Sequence, residues 1–405
     1  MHRPGLAAEP DSDIYLQKSV PINSCEIFGE RATARALGCG DIRLVQDKRT
    51  GLISNAAFDS STQCFSDKYN GSQHGSPHFG HYAADLSRRL AEKHDLRGKH
   101  IVEIGCGDGS FLKGLCEISG ARGTGIDPSI GQDKNPKRPR NAEGTVFFLS
   151  EFLGTQHYGL EPDLIICRHT LEHVFQIDEI LQHVSGLMQG RTDIPFYVDV
   201  PDTSRIADEG AFWDVYYEHC HYFTSESLQN VLAQNGFMTQ DIHTEFDGQY
   251  VCATAYLTAV NSSVGPVVGA VRISQDMDEL SARLSSRLEK QLQQWRNWFG
   301  DKSPGTVMLW GSGSKAVAFL TSLGLKSQVA GVVDINPDKQ NSFLAGSGHC
   351  VVSPSELVDL APEFIIIMNP AYVSEIRDAL AELSVLADIR VLGFPHPDDN
   401  PGLCA

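Results

Sequence analysis

The densest run of reactive side chains in this 405-residue sequence is Phe212-Trp213-Asp214-Val215-Tyr216-Tyr217-Glu218-His219-Cys220-His221-Tyr222-Phe223-Thr224. His219 titrates near neutrality in its ordinary state and could take a proton from a substrate, with Glu218 or a tyrosine hydroxyl fixing its ring. The plain alternative is a hydrogen-bonded structural histidine. Glu218, His219 and His221 are also metal-ligand types, but the run has no helical HExxH spacing and no cysteine pair, so no metal is expected there.

A second stretch with chemical meaning is Val102-Glu103-Ile104-Gly105-Cys106-Gly107-Asp108-Gly109-Ser110. An apolar run closed at once by glycines reads as a strand, a sharp turn and a helix start, where a ligand can lie against bare backbone. A dinucleotide fold wants Gly or Ala where Ser110 stands, and a pyrophosphate would be repelled by Glu103. S-adenosylmethionine has no phosphate and carries a cation, which suits an acidic strand end. The next strand ends at Gly125-Ile126-Asp127, eighteen residues after Gly109, where a carboxylate can accept both ribose hydroxyls. Gly105, Cys106, Gly107, Asp127, Pro128 and Glu151, with Arg168, His169 and His173 from the next strand end, make up the expected cofactor cleft. Leu171-Glu172-His173-Val174 reads as a helix start lying over it.

The elements that must hold these residues alternate. Short apolar runs at 101–104, 123–126, 146–149, 163–167 and 196–200 are separated by helical patterns, which is the signature of a parallel α/β sheet. Met277, Leu280, Leu284, Leu288, Leu292, Trp295 and Phe299 then recur at intervals of three and four, predicting one long amphipathic helix that serves as a strut or an oligomer seam. After Pro304 the alternation resumes, with runs at 307–310, 328–333, 364–368 and 389–392. The division expected is an N-terminal subdomain (1–70), a cofactor-binding domain (71–262), a connector and long helix (263–303) and a second Rossmann-like domain (304–405).

On GCGDG, Asp127 and Leu171-Glu172-His173-Val174, the chain resembles the class I S-adenosylmethionine-dependent methyltransferases. With Tyr216, Glu218, His219 and the second Rossmann-like domain, it resembles the sugar C-methyltransferases that act on 4-keto deoxysugar nucleotides, and the resemblance covers most of the chain. It implies an α/β fold of two Rossmann-like domains behind a small irregular N-terminal subdomain. It also implies that His219 removes the proton α to a ketone while Tyr216 relays or holds it, with Glu218 and Tyr222 in the same catalytic cluster. O- or N-methylation of another small metabolite is the alternative. Tyr217 departs from the histidine usual at that place in the family.

Relatives also begin with a zinc module of two CxxC pairs. Here Cys25 has no partner at 28, which is Phe, and Asp47 and Thr50 stand at the second pair of cysteine positions. Cys25, Cys39 and Cys64 alone would leave zinc short of a ligand, so the subdomain is read as zinc-less. Tyr69, Ser72, Gln73 and His74 precede the domain where the family places cofactor or substrate contacts, and a polar linker is the plainer reading. In the last domain Gly311-Ser312-Gly313-Ser314-Lys315-Ala316 fits GxGxxA, and Asp334 follows Ala316 by eighteen residues. Alone this reads as NAD binding. A scaffold that covers the substrate, with Asn369-Pro370-Ala371-Tyr372 lining the same cleft, is preferred because methyl transfer needs no hydride.

Composition sets the outer limits. The 33 basic and 51 acidic residues give a net charge of −18, which repels nucleic acid and anionic membrane surfaces. The ten cysteines form no CxxC pair, and Glu9, Pro10, Asp11 and Asp13 stand where a secretion signal would be basic and then apolar. A cytoplasmic enzyme with a small-molecule substrate, monomeric or homodimeric, is expected.

Overall fold

A computed structural model describes residues 13–62, 75–130, 146–259 and 275–393, without the side chains of 275–278. Strands β1 (Tyr15–Pro21), β2 (Cys39–Gln46) and β3 (Ile53–Asn55) form an antiparallel N-terminal sheet, more regular than the sequence suggests. Ile42, Leu44 and Ile53 are fully buried in it, so apolar packing holds this sheet together.

The central sheet contains β4 (His100–Ile104), β5 (Arg122–Ile126), β6 (Val146–Leu149), β7 (Leu164–Arg168) and β8 (Phe196–Pro201), all parallel. Their near-continuous apolar runs follow from helices covering both faces. The short β9 (His221–Tyr222) leaves this sheet and pairs with β3, Ser54 opposite His221, so the reactive segment is stitched to the N-terminal subdomain. A hairpin of β10 (Phe237–Glu245) and β11 (Tyr250–Leu257) completes the order β10-β11-β8-β7-β4-β5-β6, with β11 antiparallel to β8.

The spacing of Leu86, Leu90 and Leu96 predicts a helix from Leu86, and the helix observed, Pro77–Lys93, begins earlier. Ser76 accepts a hydrogen bond from the Phe79 amide and Pro77 occupies the first turn, two start signals that precede the first leucines. The predicted long helix runs Gln275–Gly300. Leu280, Leu284, Leu288, Leu292, Trp295 and Phe299 are buried on its inner face, in one core with Phe212 and Trp213 of the central domain and Leu309 and Phe319 of the last domain. It is therefore an interdomain strut. At Gly210 the contact is backbone to backbone, since a Cβ there would lie 2.4 Å from the Arg287 carbonyl oxygen.

The last domain holds β12 (Val307–Trp310), β13 (Val329–Val333), β14 (Val351–Val352), β15 (Phe364–Ile367) and β16 (Asp388–Val391) in the order β14-β13-β12-β15-β16, all parallel. Both large sheets thus reverse direction beside their first strand, and ligands in such sheets lie at the carboxyl ends of the strands near that reversal. The glycine turns after β4 and β12 both stand there.

Candidate active site

The turn after β4 uses its glycines for different ends. Gly105, Gly107 and Gly109 all have left-handed φ, at 69°, 54° and 76°. A Cβ at Gly105 would lie 2.0 Å from Thr170 Oγ1, and one at Gly109 would lie 2.3 Å from the Phe148 ring, whereas one at Gly107 would meet nothing within 4 Å. The first and third let the turn pack; the second turns bare backbone to open space. Its N–H donates to Asp127 Oδ2 at 2.8 Å, and Asp127 Oδ1 accepts from the Ser129 amide and hydroxyl at 2.8 and 2.6 Å. These bonds fix the carboxylate at the end of β5, and Oδ2, with a single donor, keeps a second lone pair.

Glu103 lies beneath the turn, 3% exposed, with Oε2 lacking a partner. Burial pushes its carboxyl up to about 8, although Arg168 acts in the opposite direction. Arg168 donates through Nε to Asp199 Oδ2 at 2.7 Å and lies 4.1 Å over the Phe111 ring, so it forms part of the wall. His169 has φ 47°, an uncommon backbone state for a non-glycine, held by a bond from its N–H to Asp199 Oδ1 and by Tyr250, whose ring is 4.4 Å away. Cys106 is buried, and the carbonyl of Pro128 accepts from Ser150 Oγ at 3.5 Å. Glu151 is half-exposed and faces His157 and Gln156. Leu171–His173 is a single 3-10 turn, and the α-helix begins only at Ile177, because Glu172 and His173 turn inward before the chain straightens.

The reactive segment follows β8 and converges on His219. Its Nε2 and Tyr216 Oη share a hydrogen bond of 2.8 Å, and its ring meets that of His173 edge-on at 4.8 Å. Burial and the neighbouring His173 hold the His219 pKa well below its ordinary value, so the ring is neutral near pH 7. His173 bonds through Nδ1 to the Glu218 carbonyl at 3.0 Å, and burial lowers it to about 4. Of the two ring-orienting candidates, the tyrosine has that place. The Glu218 carboxylate instead accepts from the Ser24 amide and hydroxyl at 2.5 and 2.7 Å, and burial raises it to about 7. Tyr222 donates to the Tyr216 carbonyl at 3.3 Å and braces the same turn. His221 bonds Ser54 and the Phe175 carbonyl, so Glu218, His219 and His221 point to three different neighbours.

A methyltransferase-domain family model matches residues 77–241, and the model of the C-methyltransferase C-terminal domain matches residues 284–387. The chain is 25% identical over 349 residues to the C-methyltransferase NovU of Streptomyces niveus, covering 79% of this chain and 81% of the relative. The chain is a class I S-adenosylmethionine-dependent C-methyltransferase. Solved structures similar to part of it include the 1,6-didemethyltoxoflavin-N1-methyltransferase of Burkholderia thailandensis (19% identity, 44% of this chain and 78% of that one, TM-score 0.34). The magnesium protoporphyrin IX methyltransferase of Synechocystis PCC 6803 is another (18%, 45% and 84%, TM-score 0.35). The residues described fit the cofactor: open backbone at Gly107, an orphaned buried carboxyl oxygen on Glu103 for a cation, and a fixed carboxylate at Asp127.

The second glycine turn of this methyltransferase is engaged by its own chain. Ser312 donates through its amide and hydroxyl to Asp334 Oδ2 at 3.0 and 2.5 Å, a bond of the same kind as Gly107 to Asp127. Ser314, opening the next helix, bonds Ser24 Oγ at 2.7 Å and Cys25 Sγ at 3.0 Å. Lys315 Nζ donates to Asp214 Oδ1 at 2.5 Å, and Asp214 Oδ2 accepts from Arg205 at 2.6 Å. On the far side, Gln249 and Asn369 exchange two amide bonds of 3.2 Å, and Tyr372 approaches His78 and Phe246. Asp214, Arg205, Lys315 and Glu172 were not singled out in the sequence; charge inside an otherwise aromatic run was the available signal for Asp214. Tyr69, Ser72, Gln73, His74 and Cys64 lie outside the described residues. Among the described residues no helix is long and apolar enough to cross a membrane.

Proposed function

We propose that this enzyme methylates a carbon next to a ketone, in a nucleotide-linked sugar or a related carbonyl metabolite, with His219 as the base. The observation that carries this reading is the 2.8 Å bond between Tyr216 Oη and His219 Nε2 in a ring kept neutral by burial. With Nε2 held by the tyrosine, Nδ1 is buried without a partner and is the nitrogen available to receive a substrate proton. Carbon acceptors need such a base because a C–H bond offers no lone pair.

S-adenosylmethionine, when bound, supplies an electrophilic methyl group on a sulfonium. Gly105, Cys106, Gly107 and Glu103 would hold its amino-acid end. Asp127 and Pro128 would hold the ribose, Glu151 would reach the adenine edge, and Arg168, His169 and His173 would wall the cleft. Tyr216 orients His219 and can pass on the proton that arrives there. Tyr222 and Glu218 fix the turn, the latter by tying it to Ser24 and so to the N-terminal subdomain. The C-terminal domain covers the acceptor and grips its nucleotide part, and the eight described cysteines, all free thiols, suit a reducing cytoplasm.

The test is incubation with methyl-deuterated S-adenosylmethionine and a small-molecule extract of the host, followed by mass spectrometry and NMR of the labelled product. Label on carbon beside a carbonyl is expected. Label on oxygen or nitrogen would overturn abstraction of a carbon proton by His219 and leave the Tyr216–His219 pair to position the acceptor. In parallel, His219→Ala should abolish turnover while S-adenosylhomocysteine still binds within a few-fold of the parent affinity.

A further inference from the structure

His219 belongs to a trio of ligand-type side chains with Glu172 and His173, in which Glu172 and His219 are buried and His173 is half-buried. A carboxyl oxygen of Glu172, a ring nitrogen of His173 and a ring nitrogen of His219 all lie within 4.8 Å of one another. Glu172 is 1% exposed and His219 5%, and each carries a buried polar atom with no hydrogen-bond partner, Oε2 and Nδ1. An orphaned buried polar group is destabilising, and an ion shared between two of them would give each a partner.

The surroundings are those of a metal site. Metal-bound histidines usually give their other ring N–H to a backbone carbonyl or another acceptor, which fixes the tautomer. His173 has that arrangement, with Nδ1 bonded to the Glu218 carbonyl at 3.0 Å. His219 has it too, with Nε2 bonded to Tyr216 Oη at 2.8 Å. Two imidazoles and one carboxylate suit zinc, cobalt and nickel and leave a position open for water. Bonds of about 2.0–2.2 Å put tetrahedral ligand atoms roughly 3.4 Å apart, so the trio has to contract by about an ångström or somewhat more.

We propose that Glu172, His173 and His219 bind one divalent transition-metal ion, in competition with the methyl acceptor. The ion takes the Nδ1 lone pair of His219 and fills the space beside it, so turnover stops while it is bound. The inhibitory half rests on the reading of His219 as base; the binding half does not. A second trio, His243, Glu245 and Cys252, also has ligand atoms within 4.8 Å, but Arg89 grips both oxygens of Glu245, at 2.5 and 2.8 Å, and that guanidinium repels a cation.

The full-length protein saturated with S-adenosylhomocysteine should be titrated with cobalt(II) and followed by visible absorption. The expected result is one ion per chain, with the ligand-field bands of a nitrogen and oxygen site and no thiolate charge-transfer band. Zinc should displace it. Glu172→Gln and His173→Gln should each weaken binding by about tenfold or more. Absence of stoichiometric binding, or a thiolate band showing that cobalt has gone to cysteine, overturns the site. The wild-type spectrum decides this even if a variant fails to fold. Zinc should also inhibit turnover in parallel with occupancy; binding without inhibition would uphold the site and count against His219 as the base.

Discussion

Lys315 Nζ donates to Asp214 Oδ1 at 2.5 Å across the seam between the two Rossmann-like domains. Asp214 also accepts from Arg205, which in turn holds Glu209 at 2.7 Å. Against the cost of burial, Lys315 and Arg205 keep the Asp214 carboxyl down at about 2. Removing one partner of a buried ion pair costs about 3–5 kcal/mol. Because the Lys315 side chain is 22% exposed, Lys315→Ala should cost about 2–3 kcal/mol in urea denaturation, with hydrogen exchange rising first in Ser314–Leu323. Lys315 is also one of the charges that lower the His219 pKa, so the acid limb of the rate profile should move to higher pH.

Tyr217 is buried, and its hydroxyl accepts from the Asp59 amide at 2.9 Å and Thr62 Oγ1 at 3.3 Å. Its ring lies so near Gly40 that a Cβ there would come within 2.2 Å. This side chain pins the N-terminal subdomain to the reactive segment. Tyr217→Phe keeps the ring and leaves the Asp59 amide without its acceptor. A loss of about 1–2 kcal/mol is expected, checked by denaturant melts, with faster hydrogen exchange at Asp59.

The sequence carried the parallel strands and the long helix because their periodicity is local. Leu280, Leu284, Leu288 and Leu292 announce one buried face without reference to any neighbour. The glycine turn after β4 was legible because it follows its strand directly, whereas the packing of Gly105 on Thr170 and of Gly109 on Phe148 left no local signal. The start at Pro77 was missed because capping residues precede any apolar spacing. The N-terminal sheet was read as irregular because its strands are short and one pairing partner, His221–Tyr222, comes from a segment more than 160 residues away. Long-range pairing of that kind leaves no local trace. The same limit applies at the site. His219 and Tyr216 are three residues apart and were read together, whereas Glu172 reaches His219 only through the sheet, and Lys315 reaches Asp214 only through domain packing.

Glu103 predicts a pH dependence whose sign follows from burial. Its carboxyl sits at about 8 in the folded chain against an ordinary 4.5. The stability linked to its protonated form is fully present below pH 4.5 and is lost as pH rises towards 8. Glu103→Gln keeps the shape and cannot ionise. Without cofactor, this variant should melt progressively higher relative to the parent as pH goes from 5 to 8. The cofactor ammonium favours the ionised carboxylate, so binding of S-adenosylhomocysteine near pH 7 should release a proton from the parent and not from the variant. Calorimetry in two buffers of different ionisation enthalpy measures that difference.

Gly105 and Gly107 share a left-handed backbone and differ in what lies in front of them. Any side chain at either position bears the left-handed cost of about 1–2 kcal/mol. At Gly107 nothing else is met within 4 Å, so Gly107→Ala should lose about that much stability. Its methyl group projects into the open space assigned to the cofactor, and S-adenosylhomocysteine affinity should fall much more than stability. At Gly105 the new Cβ lies 2.0 Å from Thr170 Oγ1 and 2.9 Å from Thr170 Cβ. Thr170 cannot turn away cheaply, because its hydroxyl donates to the Arg168 carbonyl at 2.8 Å. Overpacking adds about 1–3 kcal/mol, so Gly105→Ala should lose stability and cofactor binding together. The double variant Gly105→Ala, Thr170→Ser removes the Thr170 methyl, 2.6 Å from the new Cβ, and keeps the hydroxyl, so it should recover part of the loss. Melting curves with and without S-adenosylhomocysteine separate the two effects, and equal stability losses at the two glycines would show that Thr170 does not constrain the turn.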